Sequence, residues 1–80
     1  MIIYGITMDD CHKCDFSKDR LKQYHIEWID ISSEVGKELI EKYDIVFTPT
    51  FIILDGNKFI LKTCSILKIE NFIKGERNID

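Results

Sequence analysis

Two cysteines, Cys11 and Cys14, flank His12 and Lys13 near the start of this 80-residue chain, and they are its best candidates for chemistry. Thiol–disulfide exchange needs a thiolate that attacks a disulfide and a second thiol that resolves the mixed disulfide. A C-x-x-C pair supplies both. The same spacing can also supply half of a zinc site, which usually takes four ligands. Here only Cys64, His12, His25 and carboxylates remain to complete one, and no second C-x-x-C exists, so a zinc ribbon is excluded. A third reading is that the cysteines are structural. Three cysteines are an odd number, unlike the even sets of small secreted disulfide scaffolds.

Exchange requires the first sulfur to ionise. Asp9 and Asp10 are residue types that start helices, and they place Cys11 at the N-terminus of one. Unpaired backbone N–H groups and the helix dipole favour an anion there. Lys13, and His12 when protonated, add positive charge beside the sulfur, while Asp9 and Asp10 oppose it. The pattern makes Cys11 the attacking sulfur and Cys14, one turn on, the resolving one.

The elements that must hold this pair are set by periodicity. Residues Met1–Ile6 read as a strand buried on both faces, and Thr7–Asp10 as a polar loop. A helix is predicted over about Cys11–Tyr24, with Phe16, Leu21 and Tyr24 inward and Asp15, Lys18, Asp19 and Lys22 outward. His25 ends it as a favourable cation. Ile26–Ile31 alternates apolar and acidic residues, a second strand, parallel to the first across the helix. Ser32 and Ser33 can cap a second helix reaching Tyr43, with Val35, Leu39 and Tyr43 inward and Gly36 weakening its first turn. Asp44–Thr50 contains the only proline, Pro49. A hairpin comes next: strand Phe51–Leu54, turn Asp55-Gly56-Asn57, strand Lys58–Lys62. A last helix spans about Ser65–Lys74, with Ile66, Ile69, Phe72 and Ile73 inward and Gly75 as its stop; residues 76–80 read as a frayed tail. Tyr4, Trp28, Phe47, Phe51 and Phe72 are assigned to the core, with Met8 and Phe47 alternatively on the rim of the site.

The order β-α-β-α-β-β-α describes one α/β domain over residues 1–80: a minimal four-stranded mixed sheet with three helices on its two faces. Net charge is −3 and the pI about 5.3, which argues against non-specific binding to nucleic acid or anionic membrane. The longest apolar runs, Met1–Tyr4 and Phe51–Leu54, are far too short to span a bilayer. With no signal-peptide pattern either, the expectation is a cytoplasmic monomer, with no nucleic-acid or membrane partner.

On the strength of Cys11-His12-Lys13-Cys14, the segment Thr48-Pro49-Thr50-Phe51 and the element order, the sequence resembles the thioredoxin/glutaredoxin family from Met1 to about Lys74. The resemblance implies a thioredoxin fold and a redox-active Cys11–Cys14 disulfide. It implies a cis Pro49 opening the third strand against the dithiol, and a Thr48 backbone that pairs with substrate as an added strand. From the residues themselves, His12 reads either as a group that tunes Cys11 or donates to substrate or as a solvated side chain at a helix start, and Lys13 as a solvated side chain placed to contact an acidic substrate group. The implied activity is reduction of protein or mixed disulfides, with no bound cofactor. Glutathione is a candidate co-substrate; it or a reductase is the electron donor, and ribonucleotide reductase a candidate client. The alternative is a metal-binding or partner-docking module on the same cysteines. The sequence departs from the family in places. The dipeptide is His-Lys, where thioredoxins have Gly-Pro and glutaredoxins Pro-Tyr. Asp10 stands where thioredoxins place Trp, and Gly5 and Ile6 fill the region of their buried acid. Lys62-Thr63-Cys64-Ser65 replaces the Gly-Gly segment of many glutaredoxins. Cys64 matches a cysteine some of them carry, and it reads as a buried apolar residue or, less readily, as a thiol open to glutathionylation.

Overall fold

A computed structural model describes residues 1–77. The elements are β1 (Ile2–Thr7), α1 (His12–Arg20), β2 (Glu27–Asp30), α2 (Glu34–Tyr43), β3 (Thr50–Asp55), β4 (Lys58–Thr63) and α3 (Ile66–Arg77). The sheet order is β2-β1-β3-β4. β1 and β2 are parallel, as the α1 crossover requires, and β3 runs antiparallel to both β1 and β4. The β3–β4 turn is tight because Gly56 takes the left-handed conformation at φ 63. The expected architecture is therefore observed.

β3 is the spine of the core. Phe51, Ile52 and Ile53 are all fully buried, so both faces of the strand are covered. Phe51 and Ile53 pack with Leu21, Tyr24, Ile69 and Ile73, which come from the turns that follow α1 and from α3. Ile52 points to the opposite, α2-facing side, as strand alternation demands. β4 joins this scheme through a bulge. Ile53 pairs with Leu61 but Leu54 pairs with Phe59, leaving Ile60 as the extra residue. Ile60 and Leu61 can then both pack on the main core, while Phe59 stacks on Tyr43 of α2.

Several boundaries and faces differ from the sequence reading. α1 ends at Arg20, and residues 21–24 form turns with Leu21 N donating to Ser17 O and Tyr24 N to Leu21 O. Leu21 and Tyr24 are buried as expected, but Phe16 is 58% exposed. The inner line of this region is Cys14, Ser17 and Leu21. Helical residues advance about 100° each, so Phe16 falls off that line. Val35 is exposed as well, and the buried residue of the first turn of α2 is Gly36. Ile2 is exposed, so only the second half of β1 is covered on both sides. α3 runs through Gly75 to Arg77, and Gly75 is not its stop; a glycine inside a helix costs only about 1 kcal/mol. Glu76 and Arg77, expected in the frayed tail, are therefore helical, and the rest of that tail lies outside the described residues.

Two glycines make room for close approaches. The Trp28 ring lies over Gly5, with Cε3 2.5 Å from where a Cβ would be. Trp28 also meets Phe51 edge-on at 5.9 Å. Gly36 sits against the Asp30 backbone carbonyl at the end of β2. Ser33 caps α2 by accepting from Gly36 N (3.0 Å), and its hydroxyl donates to Asp30 O (2.7 Å). The Asp30 carboxylate accepts from the hydroxyl and the N–H of Ser32, and these bonds, helped by Lys18, hold its pKa below the ordinary value of 3.8. Helix propensity alone says that Gly36→Ala gains about 1 kcal/mol. The close approach predicts the opposite: a methyl group would drive into a backbone carbonyl that cannot step aside, and overpacking of this kind costs about 1–3 kcal/mol. Chemical denaturation of the variant should show a lower midpoint; a raised midpoint would refute the tight junction between β2 and α2.

Candidate active site

The turn from β1 into α1 sets the geometry of the cysteines. Asp10 adopts φ 56, a left-handed conformation that aspartate tolerates better than most side chains. Cys11 comes next, in extended conformation, as the N-cap of α1. Its Sγ accepts the N–H of Cys14 at 3.1 Å, and its carbonyl accepts from Asp15 N at 3.1 Å. The attacking sulfur thus takes the place of a capping oxygen and meets an otherwise unpaired helix N–H. Cys11 and Cys14 form a disulfide with a Cα–Cα distance of 5.1 Å. Cys11 is partly open to solvent while Cys14 is 1% exposed. That asymmetry suits the sequence assignment, with an accessible first sulfur and a sheltered second one.

β3 delivers the other wall. Ile6 pairs with Thr50 and Gly5 with Phe51, so the residues entering β3 lie next to those leaving β1. The Thr48–Pro49 peptide bond is cis, as the resemblance implied. Thr48 meets the dithiol: its hydroxyl donates to Cys11 Sγ at 3.7 Å, and its carbonyl oxygen lies 3.9 Å from that sulfur, within reach of an S–H when the pair is reduced. The Thr50 hydroxyl donates to Phe47 O and also contacts Cys64 Sγ at 3.4 Å.

The rim is apolar. Val46 and Phe47 are 74% and 71% exposed, and Met8 is exposed too. Phe47 is therefore not a core residue; the alternative rim assignment of Met8 and Phe47 is the one observed. A groove of about 230 Å³ runs past Met8, Ile31, Ile45, Phe47 and Thr48. A second groove, of about 360 Å³, shares Val46 and Phe47 with it and is lined also by Thr50, Lys62, Thr63 and Cys64. Cys64 is exposed, which corrects its assignment as a buried apolar residue. It comes directly after β4, which ends at Thr63.

The structure thus brings Cys11, Cys14, Thr48 and Pro49 together. His12 and Lys13 are exposed on the first turn of α1, with no side-chain hydrogen bond or ion pair among the described residues. No group of three or more His, Cys, Asp or Glu among the described residues is arranged to hold a metal ion. No helix among them is long and apolar enough to cross a membrane. Ile45 and Val46 are site residues that the sequence reading did not single out. Their signal was position: apolar side chains in a connection next to the one proline, outside any element that could bury them.

No protein-family model and no curated protein matches the chain. Solved structures do. A thioredoxin-like protein is 26% identical, with a TM-score of 0.64, covering 86% of this chain and 96% of that one. Thioredoxin f from spinach chloroplast is 19% identical at a TM-score of 0.74, covering 96% of this chain and 76% of its own. Thioredoxin f2 from Chlamydomonas reinhardtii is 15% identical at 0.77, covering 99% and 81%. The fold is that of the thioredoxins, and a cysteine pair at bonding distance on it supports thiol–disulfide redox chemistry in general terms.

The exposure pattern makes a direct prediction. After reduction, brief alkylation with iodoacetamide should modify Cys11 and Cys64, and Cys14 at least about tenfold more slowly, because accessibility and thiolate character both favour Cys11 over Cys14. Peptide mass mapping reads the three sites separately. Equal labelling of Cys11 and Cys14 would contradict their assigned roles.

Proposed function

We propose that this chain, a thioredoxin-fold protein with an accessible dithiol, is a thiol–disulfide oxidoreductase that reduces protein or mixed disulfides. The observation that carries the reading is Cys11 Sγ itself, at the N-cap of α1, bonded to sheltered Cys14 and flanked by Thr48 and cis Pro49. In the reduced protein the Cys11 thiolate attacks one sulfur of the client disulfide and expels the other as a thiolate. Cys14, having lost its proton to solvent, then attacks Cys11 Sγ and releases the second client thiolate. Two electrons pass to the client, and the Cys11–Cys14 disulfide is left. Glutathione or a reductase supplies two further electrons that reduce this disulfide again. The cysteine pair supplies the chemistry, so no bound cofactor is invoked.

The client side of the proposal rests on the rim. An extended segment running beside Thr48 meets an edge of backbone and, next to it, exposed Val46 and Phe47. That combination suits polypeptide disulfides, whose flanking residues can add strand-like pairing and apolar contact. Ribonucleotide reductase is one client of this kind. His12 and Lys13 are on hand for an acidic group of the substrate, and a reducing cytoplasmic setting would keep the pair in its working state.

Two outcomes are expected. Cys11→Ser should abolish insulin reduction, whereas Cys14→Ser should accumulate a mixed disulfide that identifies the client by mass. Full insulin reduction by Cys11→Ser would overturn the reading. The second outcome concerns poise. The positive charge of Lys13, two residues on from Cys11, stabilises the thiolate, and hence the reduced form. The potential should lie above the roughly −270 mV of thioredoxin. Equilibration in glutathione buffers measures it, and a value at or below thioredoxin's would show that the neighbouring acids outweigh the basic dipeptide.

A further inference from the structure

The exposed segment that carries Val46, Phe47 and Thr48 begins at the end of α2. Asp44, the C-cap, takes the left-handed conformation at φ 53, and its N–H bonds Ile40 O. Ile45 N bonds the same carbonyl at 3.0 Å. The carbonyls after Ile40 have no partners inside the helix. Lys62, reaching across from β4, supplies one: its Nζ donates to Tyr43 O at 2.9 Å and lies 3.4 Å from Asp44 O. A cation is also favoured by the negative end of the helix dipole. The same junction is braced by the Tyr43 ring, stacked on Phe59 at 5.6 Å, with Lys42 Nζ 5.4 Å from its centroid.

β4 is firm enough to serve as an anchor. Lys62 pairs with Ile52, which is fully buried in the centre of the sheet. The segment is thus fixed at two points. At its far end Thr50 joins the ladder with β1; at its near end Lys62 holds the last carbonyls of α2. Between them Val46 and Phe47 stand in solvent, and Thr48 reaches Cys11. Lys62 supplies the side-chain hydrogen bonds to the last carbonyls of α2, beside the Tyr43–Phe59 stack that braces the same junction.

We propose that Lys62 is a positioning residue. By fixing the end of α2 it sets where Val46 and Phe47 stand beside the dithiol, and so how well a polypeptide disulfide binds, while Thr48, held from the β3 side, keeps its contact with Cys11 Sγ. This rests on the oxidoreductase reading for its catalytic consequence, though not for its structural one. Small disulfides, which need only reach Cys11, should be indifferent to it.

The test uses the full chain with Lys62→Met, which keeps the stem and removes the ammonium, and Lys62→Arg, which keeps a donor. Lys62→Met should raise the KM for insulin about fivefold, the scale of one such hydrogen bond. Its kcat, and its rate with bis(2-hydroxyethyl) disulfide, should stay within about twofold of the parent. Amide hydrogen exchange at Ile45 should quicken by a similar factor while the β3 amides do not change, and Lys62→Arg should restore both readouts. An unchanged KM and unchanged exchange in Lys62→Met would overturn the proposal. So would an equal loss with both disulfides, or a failure of Lys62→Arg to rescue. If the parent protein reduces neither disulfide, it is the oxidoreductase reading that fails. Hydrogen exchange then decides alone whether Lys62 holds the segment.

Discussion

An antiparallel ladder brings the residue that leaves one strand beside the residue that enters the next, and the site rests on one such ladder. β1 ends at Thr7 and β3 begins at Thr50, with Ile6 opposite Thr50. The segment leaving β1 and the segment entering β3 must therefore meet at one edge of the sheet. The first is the turn into Cys11; the second is Thr48 and cis Pro49. The pairing is not free to slip. Phe51 and Ile53 face the α1 and α3 side while Ile52 faces α2, and all are fully buried. A shift of one residue would turn each of them to the wrong face. The register that serves the core is the register that sets Thr48 against the sulfur.

Within that frame the two cysteines differ for local reasons. Cys11 caps the helix, so an N–H is already aimed at its sulfur. Cys14 lies one turn on, on the buried line of Ser17 and Leu21. Among the described residues the buried carboxylate is Glu70, and it is committed elsewhere: Arg20 Nε donates to it at 2.9 Å, tying the end of α1 to α3. Gly5, in the strand before the motif, offers no side chain, and the Trp28 ring lies over it. Proton loss from Cys14 is accordingly assigned to solvent in the proposed cycle. The ion pair braces the helix from its far end; the N-cap tunes it at the near one.

Much of this was legible in the residues themselves. The element order, the Ser33 cap, the glycine turn and the cysteine pair are short-range signals, and each survives because local preference and tertiary packing agree there. The failures occur where only tertiary contact decides. Phe16 is apolar and helical, yet the buried line of α1 passes through small residues, Cys14 and Ser17, and Phe16 falls off it. Gly36 reads as a helix weakener, and is instead the residue that lets α2 approach the Asp30 carbonyl. The bulge at Ile60 has no marker in a run of apolar residues. Apolarity also misplaced Phe47 and Cys64, because it does not say whether a side chain serves the core or the rim.

The exposure of Val46 and Phe47 is best weighed against the size of the protein. Burying a side chain of this kind is worth about 1.5–3 kcal/mol, a large amount for a domain with so small a core. The chain leaves both outside, in a segment held at either end by the α2 cap and the β3 ladder. A loose segment would fold its apolar side chains back onto the surface. A held one keeps them out and spares a binding partner part of the cost of ordering them. The parts of the molecule that look merely structural, the α2 terminus and the first residues of β3, are in this sense what keep an apolar rim standing beside a reactive sulfur.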